Sequence, residues 1–150
     1  MFDVSPLRER RTQRYAEGTT TPIETSQAEI HRLLRRYGAT EFSTGWSTSG
    51  AGISFVFKGR RCSFTVPAAA AKDVPRGIRN GAAWLQTEER RRWRCMVLAL
   101  KAKLEWVADG ISSFEAEFLA HIVTPDGRTV IQCLESSDAA RARLLGPVSR

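Results

Sequence analysis

Apolar residues recur at steps of three and four across residues 88–111, where Trp93, Met96, Val97, Leu100, Leu104 and Val107 fall on one stripe. That period predicts an amphipathic helix with a face wide enough to meet a core. Asp109-Gly110 supplies its stop. A shorter stripe of Ile30, Leu33, Leu34 and Tyr37 predicts an earlier helix. Ser26 as N-cap with Glu29 three residues on reads as a capping box, and Gly38 ends the helix. Between the two helices the period drops to two. Residues 42–46 form a first strand, followed by the turn residues Ser47-Thr48-Ser49-Gly50. Ile53, Phe55 and Phe57 alternate with Ser54, Val56 and Lys58 in a second strand. Gly59-Arg60 makes a tight turn, and Cys62, Phe64 and Val66 alternate in a third strand that Pro67 stops.

Residues 67–81 are dominated by Pro, Gly, Asp and Asn and predict a mobile connector. A short helix over 82–87 leads into the long one. Beyond the long helix, Ser112 or Ser113 caps a short helix whose first turn holds Glu115 and Glu117, where acidic residues suit the dipole. Residues 121–123 and 129–131 flank Pro125-Asp126-Gly127 as a hairpin, and a last helix covers 134–145. The expected fold class is α+β: an N-terminal helix, a three-stranded antiparallel meander, a long amphipathic helix, then a short helix and hairpin. Residues 1–22 read as a flexible basic tail, 23–132 as a single domain, and 133–150 as a C-terminal helix or tail.

Charge adds a direction to this picture. The 150-residue chain carries 23 Lys and Arg against 16 Asp and Glu, a net +7. Residues 67–110 hold nine basic and five acidic side chains, whereas 111–150 hold four and five. A basic excess favours an acidic partner, and nucleic acid is the commonest; a solvated basic surface is the plainer alternative. Cys62, Cys95 and Cys133 stand far apart without a CxxC pair, which predicts buried reduced thiols and a cytoplasmic setting. No N-terminal apolar run suggests a leader, and no stretch reaches the roughly 18 apolar residues of a membrane span.

Several strings resemble a family of small uncharacterised proteins from phages, prophages and bacterial genomes. They are Leu33-Leu34-Arg35-Arg36-Tyr37-Gly38-Ala39, Gly45-Trp46, Phe57-Lys58-Gly59-Arg60, Trp93-Arg94 and Lys101-Ala102-Lys103-Leu104-Glu105. The likeness extends through Gly110-Ile111-Ser112-Ser113-Phe114-Glu115, residues 117–123 and Pro125-Asp126-Gly127, and so covers about residues 22–132. The resemblance implies a mobile-element setting, where small basic proteins often serve replication, recombination or transcription. It implies no particular activity.

Candidate chemistry follows from the densest charge. Arg90, Arg91, Arg92 and Arg94 surround Trp93, and Lys58, Arg60 and Arg61 sit at the second strand turn. The order helix, three strands, long helix is shared by double-stranded RNA-binding domains, in which the basic start of the second helix meets phosphates. Phage single-strand annealing proteins carry a comparable β-β-β-α core. The seven residues Arg90, Arg91, Arg92, Arg94, Lys58, Arg60 and Arg61 are therefore the candidate phosphate contacts of a non-enzymatic DNA- or RNA-binding accessory protein. Against this stands the pairing of Glu88 and Glu89 with Arg91 and Arg92 at helical spacing, and a host or phage protein is the alternative partner. Trp46, Phe55, Phe57 and Trp93 could stack on unpaired bases, although strand and helix-stripe aromatics are more often core. A metal-dependent nuclease would need converging carboxylates. Only Glu115, Glu117 and Asp126, with His121 nearby in sequence, come close. No nucleophile elbow, phosphate loop or metal-ligand spacing is present, so no cofactor and no catalytic residue are expected.

Overall fold

The computed structural model describes residues 13–146. Helix α1 (Ile23–Arg36) leads into strands β1 (Glu41–Ser47), β2 (Gly50–Phe57) and β3 (Arg60–Pro67), then helix α2 (Gly81–Ala108). Three short helices follow: α3 (Phe114–Phe118), α4 (Val130–Glu135) and α5 (Asp138–Leu145). The sheet is antiparallel in the order β1-β2-β3, so the α+β meander expected from the sequence is the fold.

The strand turns are set by their residues. Lys58 and Gly59 both have positive φ, 46° and 74°, the signature of a type I′ hairpin. The tight turn is thus Lys58-Gly59, one residue earlier than the sequence suggested. At the other hairpin a Cβ on Gly50 would collide with the Val66 carbonyl, so that position admits only glycine.

One face of the sheet carries the core. Ile53, Phe55 and Phe57 on β2 and Cys62, Phe64 and Val66 on β3 are buried against Ile30 and Leu34 of α1 and Trp93, Val97, Leu100 and Leu104 of α2. Phe118 of α3 meets Phe55 and Phe64 edge-on at 6.0 and 6.1 Å, and Phe114 stacks on Phe57 at 4.5 Å. The opposite face, with Ser54, Ser63 and Thr65, is half-buried or exposed. The two sheet edges differ. Beside β3, Cys62 bridges to Ile122, and the Val123 amide donates to the Arg61 carbonyl at 2.8 Å. Among the described residues no strand pairs with the outer edge of β1.

Four local expectations are corrected. The N-cap of α1 is Pro22, without a side-chain cap, and Ser26 lies one turn inside, fully buried. Starting earlier lets Ile23 pack on the core, and that burial outweighs the Ser26 cap. Residues 82–87 are not a separate helix: α2 runs unbroken from Gly81, its N-cap Asn80 accepting from the Ala83 amide at 3.0 Å. Ala82, Ala83, Leu85 and Gln86 are good helix formers, so nothing interrupts it. The Pro125-Asp126-Gly127 turn forms, with Val123 bridged to Thr129, yet its second arm is helical rather than extended. There Thr129 and Gln132 make a capping box that starts α4. The last helix is consequently two, and Ser137 caps α5.

The basic tail and the connector were expected to be loose. Residues 1–12 lie outside the described part. Arg14, however, reaches Glu88 of α2 at 3.0 Å. The connector opens with a 3-10 turn (Ala71–Asp73), in which the Asp73 carboxylate accepts from the Ala70 amide at 3.0 Å.

Candidate nucleic-acid interface

The four arginines around Trp93 are not at the start of a helix. They fall on the third turn of α2 and beyond, where every backbone N–H is already used within the helix. The dipole at a helix start therefore lends this cluster nothing. Most of its charge is also spent inside the molecule. Glu88, only 4% exposed, accepts from Arg91 at 2.8 and 3.0 Å, from Arg92 at 3.4 Å and from Arg14 at 3.2 Å. Burial works against the Glu88 carboxylate, but hydrogen bonding and charge from Arg91 and Arg14 prevail and hold its pKa below the usual value.

Arg92 ties the connector down. It donates to the Pro67 and Ala68 carbonyls at 2.9 and 3.0 Å and to the Asp73 carboxylate at 3.1 Å. Arg94 crosses to α1, where it pairs with Glu29 at 2.5 Å and meets the Ser26 hydroxyl at 3.5 Å. Of the cluster, only Arg90 makes no hydrogen bond or ion pair among the described residues. Counting only the sequence neighbours Glu88 and Glu89 as counter-charges missed Glu29 and Asp73, which the fold brings in from 65 and 19 residues away.

The hairpin group divides as well. Arg61 donates to Ser54 at 3.3 Å and pairs with Glu41 at 2.6 Å across the sheet. Lys58 and Arg60 are exposed and have no carboxylate partner among the described residues; the Lys58 ammonium lies 5.6 Å from the Phe57 ring. This turn sits beside the end of α1, since a Cβ on Gly38 would meet the Phe57 ring at 3.8 Å. Arg32 and Arg36, one turn apart on the outward face of α1, are exposed and likewise have no carboxylate partner among the described residues; the Arg36 guanidinium lies 5.8 Å from the Tyr37 ring. Sequence spacing pairs Glu29 with Arg32, but Arg94 takes Glu29 instead, which leaves Arg32 without a carboxylate among the described residues. Exposed cations without a carboxylate partner thus gather as Arg32, Arg36, Lys58 and Arg60 at one end of the sheet. A second group, Lys72, Arg76 and Arg79, lies along the exposed connector.

The aromatic candidates separate by burial. Phe55, Phe57 and Trp93 are core, and Trp46 is 88% exposed. Two of the three carboxylates considered for metal chemistry have other occupations, and Glu115 is exposed at the start of α3. Glu117 pairs with Lys103 at 3.5 Å, and Asp126 with Arg128 at 2.7 Å. Among the described residues no group of three or more His, Cys, Asp or Glu side chains could hold a metal ion. His121 stacks on Phe64 at 3.9 Å, and burial, then Lys103, holds its pKa below 6.5. The folded state thus resists its protonation, so stability should fall as pH drops below about 6.5 and be restored by raising it. Thermal melts of His121→Phe should lack that part of the pH dependence.

Cys62 is fully buried, and burial alone pushes its thiol up to about 11; Cys95 and Cys133 are only half-buried. No described helix is long and apolar enough to cross a membrane. Comparisons with protein-family models, curated proteins and solved structures gave no match to this chain.

Proposed function

We propose that this protein is a non-enzymatic nucleic-acid-binding accessory of a phage or other mobile element, holding phosphates through cations that no carboxylate neutralises. The observation that carries this reading is the group Arg32, Arg36, Lys58 and Arg60, four exposed charges on adjoining elements with no carboxylate partner among the described residues. Surface cations of this kind add little stability, since even paired ones are worth only about 0–1 kcal/mol. Of the residues nominated by the sequence, Lys58, Arg60 and Arg90 remain available for phosphates. Arg61, Arg91, Arg92 and Arg94 hold the fold together first, and Lys72, Arg76 and Arg79 extend the basic surface along the connector. The setting in a mobile element rests on the family resemblance alone.

Phosphate contacts carry little sequence information, so binding should be sequence-tolerant and salt-sensitive. The test is an anisotropy titration on single- and double-stranded DNA and RNA at several salt concentrations. Changing Arg32 and Arg36 to Ala, Lys58 to Asn and Arg60 to Ala should leave the melting temperature intact. It should flatten the salt slope by about 0.7–0.9 per lost contact. Equal affinity and equal slope for wild type and variant would remove this patch from the reading.

A protein-interaction module is the second reading, and one observation favours it. The outward face of α2 exposes Leu98 (44%) and Trp106 (53%) with Ala99 and Ala102 between them. Exposed apolar patches of this sort mark protein contacts. A wild type that binds no nucleic acid even at low salt would shift the assignment here.

A further inference from the structure

We infer that two copies of this chain join through their β1 edges to form one continuous six-stranded sheet, independently of any nucleic acid. A free edge strand presents a row of unpaired backbone groups, and proteins that stay monomeric blunt such edges with Lys, Pro, bulges or cover. The β3 edge is covered by Ile122 and Val123. Among the described residues the β1 edge has none of these devices. Its seven residues hold no Lys and no Pro, and its register with β2 runs unbroken from Glu41 opposite Val56 to Ser47 opposite Gly50.

The strand is also self-complementary. Phe42, Thr44 and Trp46 point to the core side of the sheet, opposite Phe55, Ile53 and Ala51. Trp46 overhangs small Ala51 and stays 88% exposed, the largest uncovered ring among the described residues. Antiparallel pairing of two β1 strands about Thr44 sets Phe42 opposite Trp46 of the second copy, and the reverse. Each Trp46 then packs on a Phe42 ring that His31 already stacks from 5.1 Å. Cross-strand aromatic pairs are among the favourable ones. The only charge on the strand, Glu41, falls opposite Ser47, so no like charges meet.

The helices above the strand agree with this symmetry. The two-fold axis stands perpendicular to the sheet at Thr44, so the two α1 helices lie antiparallel on the same face. Glu24 and Gln27 share a cleft with residues 44–47, and His31 and Arg35 share another with residues 40–42. The axis therefore brings Glu24 of one copy towards Arg35 of the other, twice. Both side chains are exposed and unpaired among the described residues. This is the isologous arrangement of a closed dimer.

The test is sedimentation equilibrium on the full chain without nucleic acid, with light scattering as a second readout. Wild type should sediment at twice the mass of one chain, and Trp46→Lys as a monomer with unchanged circular dichroism. Arg35→Glu places like charges face to face and should raise the dimer Kd about tenfold or more. Adding Glu24→Arg to it should restore wild-type affinity, a rescue that no folding defect would give. Leu98→Lys should leave the dimer intact. A wild type that stays monomeric at about 100 µM, weaker than the micromolar range of ordinary specific association, overturns the proposal. So does a dimer that survives Trp46→Lys and is lost in Leu98→Lys, which would assign the interface to α2.

Discussion

Replacing Trp93 by alanine should remove about 3–5 kcal/mol of stability and lower the melting temperature by roughly 10–20 °C. Trp93 is 3% exposed and lies where α2 crosses the sheet, beside Ala51 and Val66 at the floor of the cleft under Trp46. Those neighbours belong to paired strands and cannot close over the space an indole leaves, so the cavity term adds to the transfer term. The substitution leaves the four arginines in place. A folded Trp93→Ala chain should therefore keep its nucleic-acid salt slope while losing stability. A melting temperature within a few degrees of wild type would contradict the core position.

The second large effect belongs to Glu88. Glu88→Gln keeps the shape of the side chain but deletes the one charge that Arg14, Arg91 and Arg92 share. Breaking a fully enclosed ion pair from one side costs about 3–5 kcal/mol. Here the guanidinium side chains are 16–36% exposed and keep some water, so roughly 2–3 kcal/mol is expected. The sign with pH follows from the lowered pKa. The carboxylate contributes its stability above its usual 4.5, and that contribution is lost as pH falls through the lower folded value. Urea titrations at neutral pH and near pH 3 should show the variant's deficit shrinking with acid. A deficit that is constant across that range would mean the ion pairs do not form in solution.

The same interactions explain why changing Arg91 and Arg92 together is a poor probe of nucleic-acid binding. Arg92 alone holds two carbonyls and a carboxylate of the connector, so its loss would loosen residues 67–73 as well as remove a charge. Variants of Arg32, Arg36, Lys58 and Arg60 avoid that ambiguity because none of the four holds a carboxylate or a backbone carbonyl among the described residues; Arg36 and Lys58 only lie over the Tyr37 and Phe57 rings.

Sequence alone determined α1, the three strands, α2 and α3, and the face that the two long helices and β2 and β3 bury. The 3.6-residue stripe of α2, the period-two alternation of β2 and β3, and the stop at Asp109-Gly110 are local properties. Local periodicity survives because one buried face has to be apolar whatever it packs on. The Ser113 cap was legible for the same reason, since it needs only the Ala116 amide three residues away. Tertiary structure decided everything that depends on a partner distant in sequence. Ser26 is a sound cap by its spacing, yet burying Ile23 and Ser26 against the core moved the helix start upstream. The start of α4 is an exception, because its Thr129–Gln132 capping box is as local as the Ser113 cap; the strand propensity of Val130 and Ile131 points the other way, and the hairpin is left a single bridge. The charges were the least legible part. Arginine side chains are long and reach whichever carboxylate the fold brings near, so Glu29, Asp73 and Arg14 settled which cations are spent and which face solvent. Spacing along one helix carries no information about those partners, because the distances that matter are set by how α1, the connector and α2 come together in space.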